Sequence, residues 1–195
     1  MIRPLPYVFP YWILFWLVFL WSYLPESRIV RAAKRNQTAT DSKSLQVIMV
    51  VQGLGYMLAF MLCWWAPARI APHHEAIVFY VGVATIIAGS LLRRHCWRML
   101  GASFTGDVRA RPDQEVVNRG AYHYVRHPSY TAGIMLSLGV AISLGSWLSV
   151  ATILIGSTIG YINRINVEER TLAGVIGQPY VEFMRTRKRL IPFVY

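Results

Sequence analysis

Five long apolar stretches constrain the fold of this chain more than any other feature. They cover residues 5–24, 45–66, 76–92, 128–144 and 147–162. A helix needs roughly 20 apolar residues to cross the hydrocarbon core of a bilayer, and these stretches are about 16 to 22 residues long. The sequence therefore predicts an all-α, polytopic membrane protein with five transmembrane helices.

The composition agrees with a membrane protein, because 55% of the residues are hydrophobic and only 15% are charged. Soluble domains carry about 25% charged residues. The first stretch is aromatic throughout and runs into Pro25 and Glu26 without a small-residue cleavage site, so we interpret it as a retained transmembrane helix. The last two stretches flank Gly145 and Ser146, which predicts a tight helical hairpin.

The basic residues are distributed unevenly. Of 20 Lys and Arg residues, 18 lie in the segments 25–44, 93–127 and 163–195. Five spans place these segments on one side, which the positive-inside rule makes cytoplasmic. We predict an N-terminus outside and a cytoplasmic C-terminus, in the cell membrane of a prokaryote or the endoplasmic reticulum of a eukaryote. The net charge of +11 then faces membrane lipids, and no nucleic-acid partner is expected.

The same pattern divides the chain into two regions. Residues 1–92 are predicted to form an N-terminal three-helix membrane region, and residues 93–195 a catalytic region. The catalytic region comprises a cytoplasmic loop, the helix hairpin at 128–162 and a C-terminal segment at 163–195. Within the last segment, the mixed apolar and basic residues 178–189 predict a cytoplasmic amphipathic helix.

Several common site motifs are absent from the sequence. It contains no complete GxGxxG, no Walker loop, no HExxH and no GxSxG, which excludes the soluble folds that depend on them. His123 and His127 are four residues apart, but no third ligand lies nearby and Pro128 moves His127 away from helical geometry. We therefore predict no metal site.

The densest group of polar and aromatic residues spans 119–133, where the cytoplasmic loop meets the fourth apolar stretch. Pro128 is placed like the first residue of a helix. The amides of Ser129 and Tyr130 would then face the cytoplasm at the positive end of the helix dipole, which suits a carboxylate or phosphate. An aromatic and basic anchor at the membrane interface is an equally good interpretation.

A second group follows the fifth stretch, where Arg164 and Glu168 share a helix face. They form either a snorkelling ion pair at a helix end or a functional pair facing a pocket at membrane depth. Gly156 and Gly160, with small residues in the fourth stretch, predict close packing within the hairpin. Such packing would join the two groups in one site.

The order of these motifs resembles the isoprenylcysteine carboxyl methyltransferase family. The matching elements are Arg-His-Pro-Ser-Tyr-Thr-Ala-Gly at 126–133, the preceding residues 116–122, the pair Glu168-Glu169, Gly177 with Tyr180, and residues 189–192. The resemblance covers about residues 90–195. The small size and the number of spans are similar to those of prokaryotic or archaeal members.

This resemblance implies a methyltransferase that uses S-adenosyl-L-methionine and releases S-adenosyl-L-homocysteine. Its acceptor would be the carboxylate of an isoprenylcysteine-like, lipid-modified molecule that enters from the bilayer. Arg164 would be the catalytic residue beside that carboxylate. The implied cofactor-binding residues are Gln114, Glu115, Val116, Val117, Tyr122, His127, Pro128, Ser129, Tyr130 and Glu168.

Other functions fit parts of the same pattern. Phospholipid-amine N-methyltransferases share some of the C-terminal motifs, as do membrane reductases that use NADPH. A non-catalytic lipid-binding scaffold is a third alternative. The concentration of Tyr, His, Arg and Glu at one end of one hairpin favours an enzyme.

Overall fold

The computed structural model describes residues 3–35, 39–65, 68–101 and 116–191, and the side chains outside 28–42 within them. This part of the chain is helical and contains no β-strand. Short 3-10 helices lie at Leu5–Tyr7 and Gly120–His123. The six α-helices are α1 (Tyr11–Arg35), α2 (Ala39–Leu62), α3 (Glu75–Leu100), α4 (Pro128–Ser143), α5 (Trp147–Ile176) and α6 (Gln178–Thr186).

Three of the described helices are long and apolar enough to cross a membrane, namely Lys43–Leu62 within α2, all of α3, and α5. Helix α4 is apolar but shorter, and α1 is not among the three. The all-helical membrane architecture is therefore confirmed, whereas the count of five spans stays a prediction.

Helix α5 continues far beyond the apolar stretch that predicted it. Hydropathy ends near residue 162, but the Glu, Arg, Leu and Ala residues that follow are good helix formers, so the backbone continues to Ile176. Gly177 ends the helix with a φ of 75°, a backbone angle that L side chains rarely adopt. The extension carries Arg164 and Glu168 on a continuous rigid helix.

Helices α4 and α5 form the predicted hairpin, but the glycines of α5 pack elsewhere. A Cβ at Gly156 would lie 2.9 Å from the carbonyl oxygen of Val51, and a Cβ at Gly160 would lie 3.0 Å from the side chain of Ile48. Both contacts are on α2. The interpretation of this glycine pair as packing within the hairpin is therefore wrong, because small residues serve whichever helix approaches them.

Helix α4 makes its closest backbone approach to α3. A Cβ at Gly82 of α3 would lie 2.4 Å from the backbone nitrogen of Ser143, and a Cβ at Gly139 of α4 would lie 2.6 Å from that of Ile86. The buried core around these contacts includes Phe79, Ile86, Leu136, Val140 and Ile153. Helix α4 is thus held against α3, while α5 is held against α2.

The C-terminal helix α6 is shorter than the predicted amphipathic segment 178–189. Its aromatic residues Tyr180 and Phe183 are buried within the protein. These two rings therefore pack on the protein. Burial raises the pKa of Tyr180 well above its usual range, as do the nearby carboxylates of Glu168 and Glu169, so this hydroxyl is neutral.

Candidate active site

The two groups of residues identified in the sequence meet where the start of α4 faces α5. The hydroxyl of Tyr130 donates a hydrogen bond to Oε2 of Glu168 at 2.6 Å. The Tyr130 ring lies 5.2 Å from the ring of Tyr161 and 5.6 Å from that of His127. Gly133 permits this arrangement, because a Cβ there would lie 2.1 Å from the hydroxyl of Tyr161.

The first turn of α4 differs from its predicted form in one respect. Pro128 is the first helical residue, as expected. The amide of Tyr130, however, donates to the carbonyl oxygen of His127 at 3.0 Å, and the amide of Thr131 donates to the same oxygen at 3.2 Å. The prediction that the Tyr130 amide is free to bind an anion is therefore wrong, since the tight turn at His127 uses it.

Glu169 holds several cationic or polar side chains in place, although the sequence reasoning assigned it no role. Its side chain is buried, and Oε1 lies 3.1 Å from Nε2 of His127 and 3.2 Å from Nη2 of Arg126. Its other oxygen accepts a hydrogen bond from Nη2 of Arg189 at 2.7 Å. This carboxylate therefore stabilises the motif around His127, because it neutralises the neighbouring cations.

Residues Arg187–Leu190, which we call the C-terminal strap, hold the same motif through the backbone. The amides of Arg126 and His127 donate to the carbonyl oxygens of Lys188 and Arg189 at 2.8 and 2.9 Å. The hydroxyl of Thr131 donates to the carbonyl oxygen of Leu190 at 2.7 Å. The strap thus pairs the backbone amides of Arg126 and His127 and fixes the angle at which the chain enters α4.

Arg164 points into the protein. It is only 5% exposed, and its Nη1 donates to the hydroxyl of Ser44 on α2 at 2.7 Å. It also lies within electrostatic reach of the Tyr130 hydroxyl. A snorkelling arginine would expose its head group, so the snorkelling interpretation is wrong for Arg164. The other interpretation, a functional pair of Arg164 and Glu168 that faces a pocket, stays a prediction.

The remaining predicted cofactor-binding residues precede α4 in the chain. Tyr122 is buried in the 3-10 helix, and its pKa is raised well above the usual range, first by burial and then by Cys96 and Glu168 nearby. Val116 and Val117 are half-buried in the irregular segment that precedes this helix. Gln114 and Glu115 lie outside the described residues.

His123 and His127 have different surroundings. His123 is exposed, whereas His127 is buried against Glu169, so the two rings do not present one face. Within the described ranges, no three His, Cys, Asp or Glu side chains are grouped to hold a metal ion.

Comparison with known proteins finds a family match for the part of the chain that contains Tyr130, Arg164 and Glu168. Residues 81–174 match the sequence model of the isoprenylcysteine carboxyl methyltransferase (ICMT) family. These residues belong to that family. They include most of α3, all of α4 and most of α5, and therefore Tyr122, His127, Tyr130, Arg164 and Glu168. The resemblance inferred from the motifs is confirmed.

Individual relatives agree with this assignment. The chain is 30% identical over 115 residues to protein-S-isoprenylcysteine O-methyltransferase B of Arabidopsis thaliana, covering 58% of each chain. It is 25% identical over 186 residues to protein-S-isoprenylcysteine O-methyltransferase of Xenopus laevis, covering 92% of this chain and 64% of the relative. The chain therefore spans about three fifths of the length of these relatives.

A solved structure shows the same fold. The eukaryotic intramembrane Ras methyltransferase ICMT, in its structure without a monobody, superposes with a TM-score of 0.65 at 25% identity. The superposition covers 93% of this chain and 64% of the ICMT chain. The similarity extends beyond the family segment, so α1 and α2 also follow the ICMT arrangement.

Proposed function

We propose that this chain methylates the carboxylate of a lipid-modified, isoprenylcysteine-like acceptor at the cytoplasmic face of a membrane, with S-adenosyl-L-methionine as methyl donor. The observation that carries the proposal is the convergence of a buried cation, Arg164, with the hydrogen-bonded pair Tyr130 and Glu168. All three lie in the ICMT segment, and the named relatives are O-methyltransferases of isoprenylcysteine proteins.

The residues at the start of α4 and on α5 suit the polar groups of S-adenosyl-L-methionine. Glu168 receives one hydrogen bond from Tyr130 but is 27% exposed, and a carboxylate has about four acceptor positions, so it can also accept from an ammonium or a ribose hydroxyl. Ser129 and the neutral hydroxyl of Tyr122 add hydrogen-bonding capacity. The cofactor supplies an electrophilic methyl group on a sulfonium sulfur.

Arg164 suits the acceptor. A buried guanidinium attracts a carboxylate strongly because little water screens it, and its planar fork fixes the direction of the carboxylate oxygens. A carboxylate is already a nucleophile, so the protein needs to orient it and does not need a general base. The role of this chain is thus to bring two ligands together in one geometry.

The membrane supplies the route of the acceptor. Its apolar tail would enter sideways between the helices, while the carboxylate reaches the polar end of α5. The basic segments favour the cytoplasmic face for this end, in the cell membrane or the endoplasmic reticulum according to the organism. Membrane lipids would surround the basic segments at this face.

Two measurements on the full chain in detergent test the proposal. Calorimetric titration with S-adenosyl-L-homocysteine should show binding, and titration with NADPH should show none. Transfer of labelled methyl groups should occur to an N-acetylated farnesylcysteine and not to phosphatidylethanolamine. Binding of NADPH alone would indicate a reductase, and methylation of the phospholipid alone would indicate an N-methyltransferase.

A further inference from the structure

A second buried arginine joins three helices next to the proposed cofactor site. Arg93 of α3 donates from Nε and Nη2 to the two carboxylate oxygens of Glu26 on α1, the second at 2.9 Å. Its Nη1 donates to the carbonyl oxygen of Ser129 on α4 and, at 3.1 Å, to the hydroxyl of the same residue. Both charged side chains are largely buried, with 13% and 18% exposure.

The contact with Ser129 distinguishes this pair from a simple link between helices. Glu26 already occupies one edge of the guanidinium fork, which is the usual bidentate geometry. The remaining N–H groups reach the residue between Pro128 and Tyr130, in the first turn of α4. Burying two charges is costly and contributes little net stability, so the pair is better explained by the orientation that it gives to the first turn of α4.

We propose that Arg93 is a positioning residue, which holds the first turn of α4 in the orientation that binds the methyl donor, and that Glu26 holds Arg93 for this purpose. This inference rests on the proposed function. It also links the two halves of the chain, because Glu26 lies outside the ICMT segment 81–174 while Arg93 and Ser129 lie within it.

Glu26 has a second consequence for the charges around the acceptor. Arg93 lies within electrostatic reach of Tyr130 and Tyr161, close to the same centre as Arg164. A bidentate carboxylate neutralises Arg93, so an incoming acceptor carboxylate is attracted to Arg93 less strongly than it would be without Glu26. The pair therefore positions the turn without offering the acceptor a second binding place.

The test compares Arg93→Lys with a charge swap, Glu26→Arg together with Arg93→Glu. A lysine cannot bind Glu26 in bidentate fashion and reach Ser129 at the same time, so we expect S-adenosyl-L-homocysteine to bind about tenfold more weakly. The swap restores attraction between α1 and α3, but a glutamate at position 93 cannot donate to the Ser129 carbonyl. The melting temperature of the swap variant should exceed that of Arg93→Glu alone, while its binding of S-adenosyl-L-homocysteine stays weak.

The ion pair between Arg69 and Glu75, at 3.2 Å, provides a control away from the site. Arg69→Gln should lower the melting temperature and leave the dissociation constant and the KM for the methyl donor unchanged. Wild-type affinity in Arg93→Lys, or full recovery of affinity in the swap, would overturn the inference. If the swap does not fold, the affinities of Arg93→Lys and Arg69→Gln for S-adenosyl-L-homocysteine still test the inference. Failure of the wild-type chain to bind would instead overturn the proposed function itself.

Discussion

Glu168 and Glu169 are consecutive on α5 and both approach the His127 ring, at 3.9 and 3.1 Å, yet their other contacts differ. Glu168 accepts a hydrogen bond from Tyr130 and stays partly exposed, whereas Glu169 is buried among Arg126, His127 and Arg189. Successive residues on an α-helix point about 100° apart, so only one of two adjacent carboxylates can face a given pocket. We therefore propose Glu168 as the ligand-facing carboxylate and Glu169 as the structural one.

Substitution of the two carboxylates should therefore separate binding from stability. Glu168→Gln loses a charge-assisted hydrogen bond of about 1.5–3 kcal/mol, so the dissociation constant of S-adenosyl-L-homocysteine should rise about ten- to a hundredfold with little change in melting. Glu169→Gln leaves buried cations without their counter-charge and should lower stability by about 3–5 kcal/mol. Calorimetry and thermal melts in detergent measure both. Equal melting losses with wild-type binding in both variants would contradict the assignment.

The hydroxyl of Tyr130 should matter for ligand binding. Tyr130→Phe keeps the ring contacts but removes the donor to Glu168, so we expect about tenfold weaker binding of S-adenosyl-L-homocysteine in a folded protein. Tyr124 lies in the same segment with its side chain exposed, so Tyr124→Phe is the matched control and should bind like wild type. Similar affinities in the two variants would show that the Tyr130 hydroxyl only stabilises the fold.

Loss of Arg164 should affect catalysis more than cofactor binding. Arg164→Ala removes the cation that orients the acceptor, so methyl transfer should fall at least about a hundredfold, as is typical for a lost electrostatic contact at a reacting group. Binding of S-adenosyl-L-homocysteine should stay within a few-fold of wild type. The exposed Arg170 on the same helix provides the control, and Arg170→Ala should retain activity. Parallel loss of binding and activity in Arg164→Ala would place this arginine at the cofactor instead.

The contact between α3 and α4 should tolerate no side chain at Gly82. An added Cβ would lie 2.4 Å from the backbone nitrogen of Ser143, so Gly82→Ala should destabilise the protein by about 1–3 kcal/mol. Gly53 on α2 has no neighbour within 4 Å of an added Cβ. Gly53→Ala should be neutral or stabilise by up to about 1 kcal/mol through helix propensity. Comparable melting temperatures for the two variants would show that α3 and α4 approach less closely.

Cysteine labelling tests the proposed topology. His73 and Arg185 are exposed, and both native cysteines, Cys63 and Cys96, are buried. In sealed vesicles, an impermeant maleimide should modify His73→Cys from the outer face and Arg185→Cys from the cytoplasmic face. Unmodified protein measures background labelling. Reaction of both introduced cysteines from the same face would exclude an N-terminus outside with five spans.

The positions of the helices were largely predictable because hydropathy and helix-ending residues act locally. Pro128 begins α4 where the sequence indicated, and Gly145 lies in the turn of the hairpin. The sequence suggested that α5 continues past its apolar stretch to Glu168, but its end at Ile176 was not predicted, because hydropathy detects contact with lipid and not helix formation. The proximity of Tyr130 to Glu168 was expected from the hairpin.

The sequence by itself determined that this is a helical membrane protein whose residues 81–174 match the ICMT family, because apolar stretches and ordered motifs need no partner to be recognised. Only the tertiary structure decided which side chains meet. It placed Gly156 against α2, turned Glu169 towards Arg126 and Arg189, and linked Glu26 on α1 to Ser129 on α4 through Arg93 on α3. A periodic pattern defines the faces of a helix, but the choice of neighbour depends on packing and charge pairing between residues far apart in the chain.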